Sequence, residues 1–419
     1  MKKMILVFAA LFAIGIAVMY EGADASAVTW HRSKAARTTE GGFVFYSYPS
    51  IYGNECWIYK IEKKKGTGSA GTLSFPSKIN GNTVTKLGFD NESKPKDDEF
   101  GSNIFGSVVE EAHGVSGESV VSAKIKKIRF PKTVKEITNN AFSGFSALEQ
   151  VKLPGGLKKL EQSLFYGCRN LKKVQLPKKL ESIYIAAGYN SWLGSFAKCP
   201  KLSKITISSQ NKYFKVKNNM ILSKDGKKLV FAAPATKTAK IPDGVKEIGN
   251  AALGDSKAET VVIPKTVSAL GRKALSSKKI KKVKLDKRNP YLAKDKNSIY
   301  RRKDRSLAVI IVSRKHHATV SDKVKIIGEN VSVAGPKAKR VDLSKNLEKV
   351  IEDWMFWDHF AKVYFHGKTP PVITSKYKGY EFTAMPIFDE VYVPRGTKKI
   401  YEDWAKNRDG LEFTDLKEF

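Results

Sequence analysis

Lysine and arginine recur at fixed places in seven of nine similar short segments of the chain. Lys127, Arg129, Lys152, Lys173, Lys204, Lys282, Lys284, Arg340 and Lys362 each stand next to the second apolar residue of a frame h-x-x-h-x-h, where h is apolar. In an extended strand the two neighbours of one apolar residue point away from the face it joins. Such a surface would do electrostatic chemistry, gathering the sulfate, phosphate or carboxylate groups of a partner. Of the eighteen flanking positions in the nine frames, nine are basic, and only Asp342 and Glu390 are acidic. The chain as a whole has 75 basic residues in 419, a far lower density. Like charges facing each other on a sheet repel, so these side chains either splay into solvent or meet an anionic partner. The alternative is that lysine is simply the preferred surface residue of this chain.

Toward the C-terminus the same positions change to Tyr364 and Tyr392, with Trp354, Trp357 and Phe360 nearby. Aromatic rings beside basic groups can stack on sugars or bases and take part in cation–π contacts. Trp354 and Phe360 occupy apolar slots of the frame and are expected in the core, whereas Trp357, Tyr364 and Tyr392 are expected at the surface.

Nothing in the sequence points to catalysis. His316 and His317 are adjacent and lack the spacing of a zinc protease, and His31, His113, His359 and His366 are scattered. There is no G-x-S-x-G, no phosphate-cradling loop and no cofactor motif. The turn SKDGKK (223–228) has one aspartate beside three lysines, a poor cation site and an ordinary turn. Three cysteines are too few for a disulfide scaffold and leave one thiol unpaired. Cys168 and Cys199 fall at similar places in successive units, where packing in the core is expected; a bridge between them needs Cα atoms within ~7 Å.

The elements that must position these residues form a repeat. IKKIRFP (125–131), LEQVKLP (148–154), LKKVQLP (171–177), LSKITIS (202–208), AETVVIP (258–264), IKKVKLD (280–286), AKRVDLS (338–344), FAKVYFH (360–366) and FDEVYVP (388–394) share the frame. Their closest spacings are 22 and 23 residues, and the longer gaps hold degenerate or expanded units such as AKIPDGVKEIG (239–249). Each frame reads as one short strand, ended by a proline that cannot donate to a ladder. Six residues further on comes an apolar position, then two more: Ile137/Ala141/Phe142, Leu160/Leu164/Phe165, Ile248/Ala252/Leu253 and Leu270/Ala274/Leu275. That spacing predicts a short helical turn backing the strand.

A period of 22 to 23 residues lies in the leucine-rich-repeat range, and only a stack of such units buries a continuous core. The fold class expected is a leucine-rich-repeat solenoid, predominantly β with short helical turns, coiling to the right and curved, over residues 123–395. Residues 207–230 and 285–309 resemble each other and read as repeats extended by a hairpin. An N-terminal β cap is expected over 28–122, with a polar loop at 90–122, and a C-terminal capping segment over 396–419.

Residues 1–27 read as a secretory signal: Lys2 and Lys3, an apolar stretch from Ile5 to Met19, and Ala25-Ser26-Ala27 as a cleavage site. A retained membrane anchor is the competing reading. Cleavage would remove two basic and two acidic side chains and leave the net charge of +34 unchanged. No hydrophobic tail or wall-sorting motif closes the chain, so the expectation is a secreted or cell-surface protein without a covalent anchor.

The unit L-x-x-V-x-L-P-x-x-h-x-x-I-x-x-x-A-F-x-x-C, seen from Leu148 to Phe165 and again from Leu171, resembles the BspA-type leucine-rich repeat of bacterial cell-surface proteins. The phrases INGNTVTKLG and FHGKTPPVI…VYVPRGTKKIYEDW are also similar to that family's usual beginning and end. The resemblance implies an exported, strand-rich solenoid, often adhesive toward host proteins, matrix or other cells, and it brings no catalytic residues. The function expected is non-catalytic binding or adhesion through the exposed sheet face. The partner would be an extracellular matrix protein or other surface protein, an acidic polysaccharide or a wall polymer, with nucleic acid held only without sequence preference. A basic wall- or polysaccharide-associated protein, and an enzyme or protease inhibitor using the 90–122 loop, are the alternatives.

Overall fold

A computed structural model describes residues 36–49, 53–63, 71–88, 124–185, 194–328, 330–351, 360–374, 390–406 and 415–419. The expected signal at 1–27, the loop at 90–122, and Trp354 and Trp357 lie outside the described residues.

The framed segments form strands of three to five residues that stack in parallel, each repeat beside the next. The first sheet orders Thr72–Ser74, Lys127–Arg129, Gln150–Lys152, Lys173–Gln175 and Lys204–Thr206. A second holds Thr238–Lys240, Thr260–Ile263 and Lys282–Leu285. The third runs from His317–Thr319 through Ala338–Asp342, Phe360–Tyr364 and Glu390–Val393 to Leu416–Glu418. The apolar residue at the centre of each frame pairs with its equivalent, Val174 between Val151 and Ile205, Val363 between Val341 and Val391. All of them are buried. The molecule is a predominantly β solenoid.

Behind these strands lies a second set. Glu136–Ile137, Lys159–Leu160, Ser182–Ile183, Glu247–Ile248 and Ala269–Leu270 are two-residue strands, with parallel pairing from Lys159–Leu160 to Ser182–Ile183 and from Glu247–Ile248 to Ala269–Leu270. The apolar triplets expected on a helical turn are buried without exception. Their first member, however, closes one of these strands, and the other two sit in turns. The reason is local. Asn140, Ser163, Ala251 and Lys273, each directly before the second member of its triplet, have φ of 58°, 51°, 46° and 53°. A left-handed residue cannot continue a right-handed helix, and outside glycine it costs about 1–2 kcal/mol, which the packed triplet must offset. Among the described residues the one α-helix is Lys398–Lys406, which buries Tyr401 and Ala405.

The two long units are hairpin-extended repeats. Phe214–Lys217, Met220–Ser223 and Lys228–Ala232 form an antiparallel meander, as do Leu292–Asp295, Ser298–Arg301 and Leu307–Ile311. Each is anchored by a buried asparagine. Asn289 Nδ2 donates to the carbonyls of Pro264 (3.1 Å) and Val267 (2.8 Å) in the preceding repeat, while its Oδ1 accepts from the N–H groups of Tyr291 and Leu292. Asn211 makes the equivalent four bonds with Lys178, Leu180, Tyr213 and Phe214. Replacing Asn289 by alanine strands buried donors and acceptors at once, at about 1–3 kcal/mol for a buried group left unpaired. Asn289→Ala is therefore expected to lower the urea midpoint by the equivalent of at least about 2 kcal/mol. A shift within error of zero would show that water replaces the side chain.

At the N-terminal end, strands Ala36–Glu40, Phe43–Pro49 and Glu55–Lys63 pair antiparallel. Asn82–Leu87 then joins Glu55–Lys63 in parallel and hands on to Glu136–Ile137. A column of phenylalanines runs through the adjoining core: Phe75, Phe142, Phe165, Phe196 and Phe231, with successive ring centroids 5.7 to 6.0 Å apart. Cys168 and Cys199 are free, buried thiols beside it, donating to the carbonyls of Phe142 (3.2 Å) and Phe165 (3.0 Å). Burial pushes the Cys199 thiol well above its ordinary range, and the neighbouring Cys168 adds to the effect.

Candidate functional site

The exposed faces of the three sheets differ in what their charges do. On the first, Lys127, Arg129, Lys152, Lys173 and Lys204 all project into solvent beside buried Ile128, Val151, Val174 and Ile205. Together with Lys132 they line a shallow hollow of about 630 Å³, whose wall contains six cationic residues and no carboxylate. None of the six forms an ion pair with another described residue. Elsewhere on these repeats Lys172 reaches Glu149 at 3.3 Å, and Lys158 reaches Glu181 at 3.1 Å, in each case across one repeat.

The register also corrects the expectation of lysine facing lysine. Lys127 pairs with Gln150, Gln150 with Lys173, and Lys152 with Gln175; like charges stand opposite at Lys173 and Lys204 and, one step along the register from Ile128 and Val151, at Arg129 and Lys152. Neutral amides between the cations relieve the repulsion that an unbroken ladder would suffer.

On the second sheet Lys282 and Lys284 are exposed, opposite Thr260 and Val262. Lys240 is exposed in the same row as Lys284, two strands away. The frame-based reading missed Lys240 because TAKI (238–241) is a degenerate frame, although its distance of 22 residues from Val262 would have placed it.

The third sheet spends its charges internally. Asp342 was expected to be exposed, but its side chain is only 8 % exposed. Arg340 Nε donates to it at 2.8 Å, Arg340 Nη2 and His317 Nε2 also bond it, and His366 Nε2 lies 2.9 Å away. Arg340 of the same strand and His317 and His366 of the repeats on either side close over one carboxylate. Lys362 pairs with Glu390 at 2.8 Å, and Glu390 also takes Lys417 at 3.4 Å and the Tyr392 hydroxyl. Arg340 and Lys362 are therefore placed in ion pairs rather than on an open basic surface.

Tyr364 and Tyr392 are half-buried and stacked on each other, centroids 4.1 Å apart and planes 1° from parallel. The Arg340 guanidinium covers the outer face of the pair at 3.5 Å from the Tyr364 centroid, and Lys417 approaches Tyr392 at 5.8 Å. Phe419 meets Tyr364 edge-on. The expectation of rings open for stacking on a ligand does not hold here, because one ring faces the other and a cation covers the remaining side.

Burial alone would raise the Asp342 carboxyl, but hydrogen bonds from Arg340, His366 and His317 and the charge of Arg340 outweigh it and hold it at about 2. A carboxyl depressed in the folded state stabilises the fold above its unfolded pKa near 3.9, and the contribution is lost as pH falls through the folded value. On the order of 2 kcal/mol is at stake between roughly pH 4 and pH 2. Asp342→Asn should lower stability at neutral pH and flatten this acid limb, read from urea midpoints across that range. Parallel acid limbs in the two proteins would assign the acid sensitivity elsewhere.

Stacked parallel strands of a 22-to-23-residue unit, with the apolar centre of every frame turned inward, define a leucine-rich-repeat solenoid. Residues 119–218 and 227–300 match, in six copies, the BspA type Leucine rich repeat region. Over those residues the chain carries BspA-type leucine-rich repeats.

Among solved structures, the chain is similar to the pneumococcal vaccine antigen PcpA, with 15 % identity over 92 % of this chain and 98 % of that one, TM-score 0.40. It is also similar to a leucine-rich repeat protein from Eubacterium ventriosum (12 % identity, 81 % and 95 %, TM-score 0.36) and to one from Bacteroides ovatus (13 %, 90 % and 99 %, TM-score 0.31). A search of the curated proteins found no match.

Proposed function

We propose that the protein is an exported, non-catalytic binding protein of the cell surface or its surroundings, and that its working surface is the basic face of the first sheet. The partner is an anionic polymer of a cell surface or matrix, free or carried on a protein. One observation carries the reading: six cations line a single hollow without any acidic neighbour in its wall. Like charges gathered on one face cost stability unless counter-ions or a ligand neutralise them. Export is supported by the signal-like residues 1–27, and the repeat family by its match over 119–218 and 227–300.

The test is binding of the protein to heparin, wall teichoic polymer, DNA, fibronectin and fibrinogen at low and high salt. It is run beside a variant with Lys127, Lys152, Lys173 and Lys204 changed to Gln. Salt-sensitive binding to polyanions that the variant loses supports the proposal. Salt-resistant binding to one protein, unchanged in the variant, overturns it.

A further inference from the structure

Ten side chains form the exposed face of the first sheet, two per strand. In strand order they are Thr72 and Ser74, Lys127 and Arg129, Gln150 and Lys152, Lys173 and Gln175, then Lys204 and Thr206. Neighbouring strands lie about 4.8 Å apart, and the two rows about 7 Å apart, twice the rise per residue. Five of the ten are cations and five are neutral hydroxyls or amides. None is acidic and none is aromatic.

The cations are not in one row. They stand in both rows at Lys127–Arg129, in the second row at Lys152, and in the first row at Lys173 and Lys204. The positions they vacate are filled by Gln150, Gln175 and Thr206. A path along the sheet therefore meets a charge at every repeat from Lys127 to Lys204, with a neutral hydrogen-bonding group beside it in three of the four.

Different polymers would use this pattern differently. A single-stranded nucleic acid gains much of its affinity from bases stacked on aromatic side chains, and this face offers no ring: the nearest, Phe130, is stacked inward on Phe75 at 5.7 Å. Planar bidentate recognition of phosphate favours arginine, yet four of the five cations are lysine. A polyphosphate carries only charged acceptors, so the amide carbonyls of Gln150 and Gln175 would face oxyanions with nothing to accept. A chain that alternates anionic groups with hydroxyls satisfies both halves: ammonium groups take the anions, and each amide and hydroxyl both donates and accepts.

We infer that the ligand of this face is an acidic polysaccharide, lying across the strands from Lys127 to Lys204, with its anions on the five cations and its hydroxyls on Gln150, Gln175 and Thr206. The inference rests on the polyanion reading of the same face and narrows it.

The experiment is calorimetric titration of the full protein with a heparin oligosaccharide, with linear polyphosphate and with single-stranded DNA of matched total charge, at two salt concentrations. It is repeated on Gln150→Ala/Gln175→Ala, whose side chains are exposed and whose folding is checked by circular dichroism. The heparin oligosaccharide is expected to bind about tenfold more tightly than the other two and to retain more of its affinity in high salt. The double variant should lose about tenfold toward it, the value of two ordinary hydrogen bonds, and less than about twofold toward polyphosphate. Equal binding of all three, or a double variant that behaves as the parent, overturns the polysaccharide assignment while leaving polyanion capture standing. Failure of every probe to bind at low salt overturns both.

Discussion

Phe165→Ala is expected to cost about 3–5 kcal/mol of unfolding free energy, the range for deleting a fully buried aromatic side chain. Phe165 is fully buried and lies between two rings, Phe142 at 5.7 Å and Phe196 at 5.8 Å, both nearly parallel to it. Its loss removes two stacking contacts worth about 0.5–1.5 kcal/mol each and leaves a cavity walled by the neighbouring repeats. In a solenoid each unit is held mainly by its neighbours, so a gap in this column weakens the coupling between repeats as well as the repeat itself. The urea transition should therefore broaden or divide as well as shift. Loss of less than about 1 kcal/mol, far below the usual cost, with an unchanged slope would mean that the repeats collapse around the gap.

The second large effect is on binding. Changing Lys127, Lys152, Lys173 and Lys204 to Gln removes four of the six cations of the hollow. Each cation that neutralises a site on a polyelectrolyte contributes about one unit to the slope of log K against log salt. The slope should fall by about 4, and affinity for heparin at low salt by two to three orders of magnitude or more. Two comparisons make the result specific. Lys282 and Lys284 to Gln, on the second sheet, should produce a smaller loss. Arg340 and Lys362, already held by Asp342 and Glu390, should contribute little when neutralised. A slope unchanged in the quadruple variant, with the other two variants equally silent, would mean that net charge rather than this face attracts the polymer.

Much of the architecture was legible because its cause is local. The alternation around Val151 or Val174 turns one residue in and two out whatever the neighbouring repeat contains, so strand, face and buried centre follow from the frame. The paired likeness of 207–230 and 285–309 likewise revealed both hairpin units. The apolar triplets were placed correctly in the core but in the wrong conformation. Their 4-residue spacing is shared by a helical turn and by a tight bend, and left-handed Ser163, Ala251 and Lys273 carry no signal in their side-chain type.

The candidate site was legible only as a set of residue types. Composition and spacing alone determined that this is a repeating β structure with an exposed, cation-rich face, since period and alternation are properties of the chain taken one repeat at a time. Which cations are free was decided by the tertiary structure. Lys173 and Lys362 occupy equivalent slots in their frames, yet the first stands opposite Lys204 and Gln150 and the second reaches Glu390. The difference comes from residues 23 to 31 positions away in sequence that the parallel stacking brings to about 4.8 Å. Charge pairing depends on that short distance through space, so no single repeat, read alone, contains it.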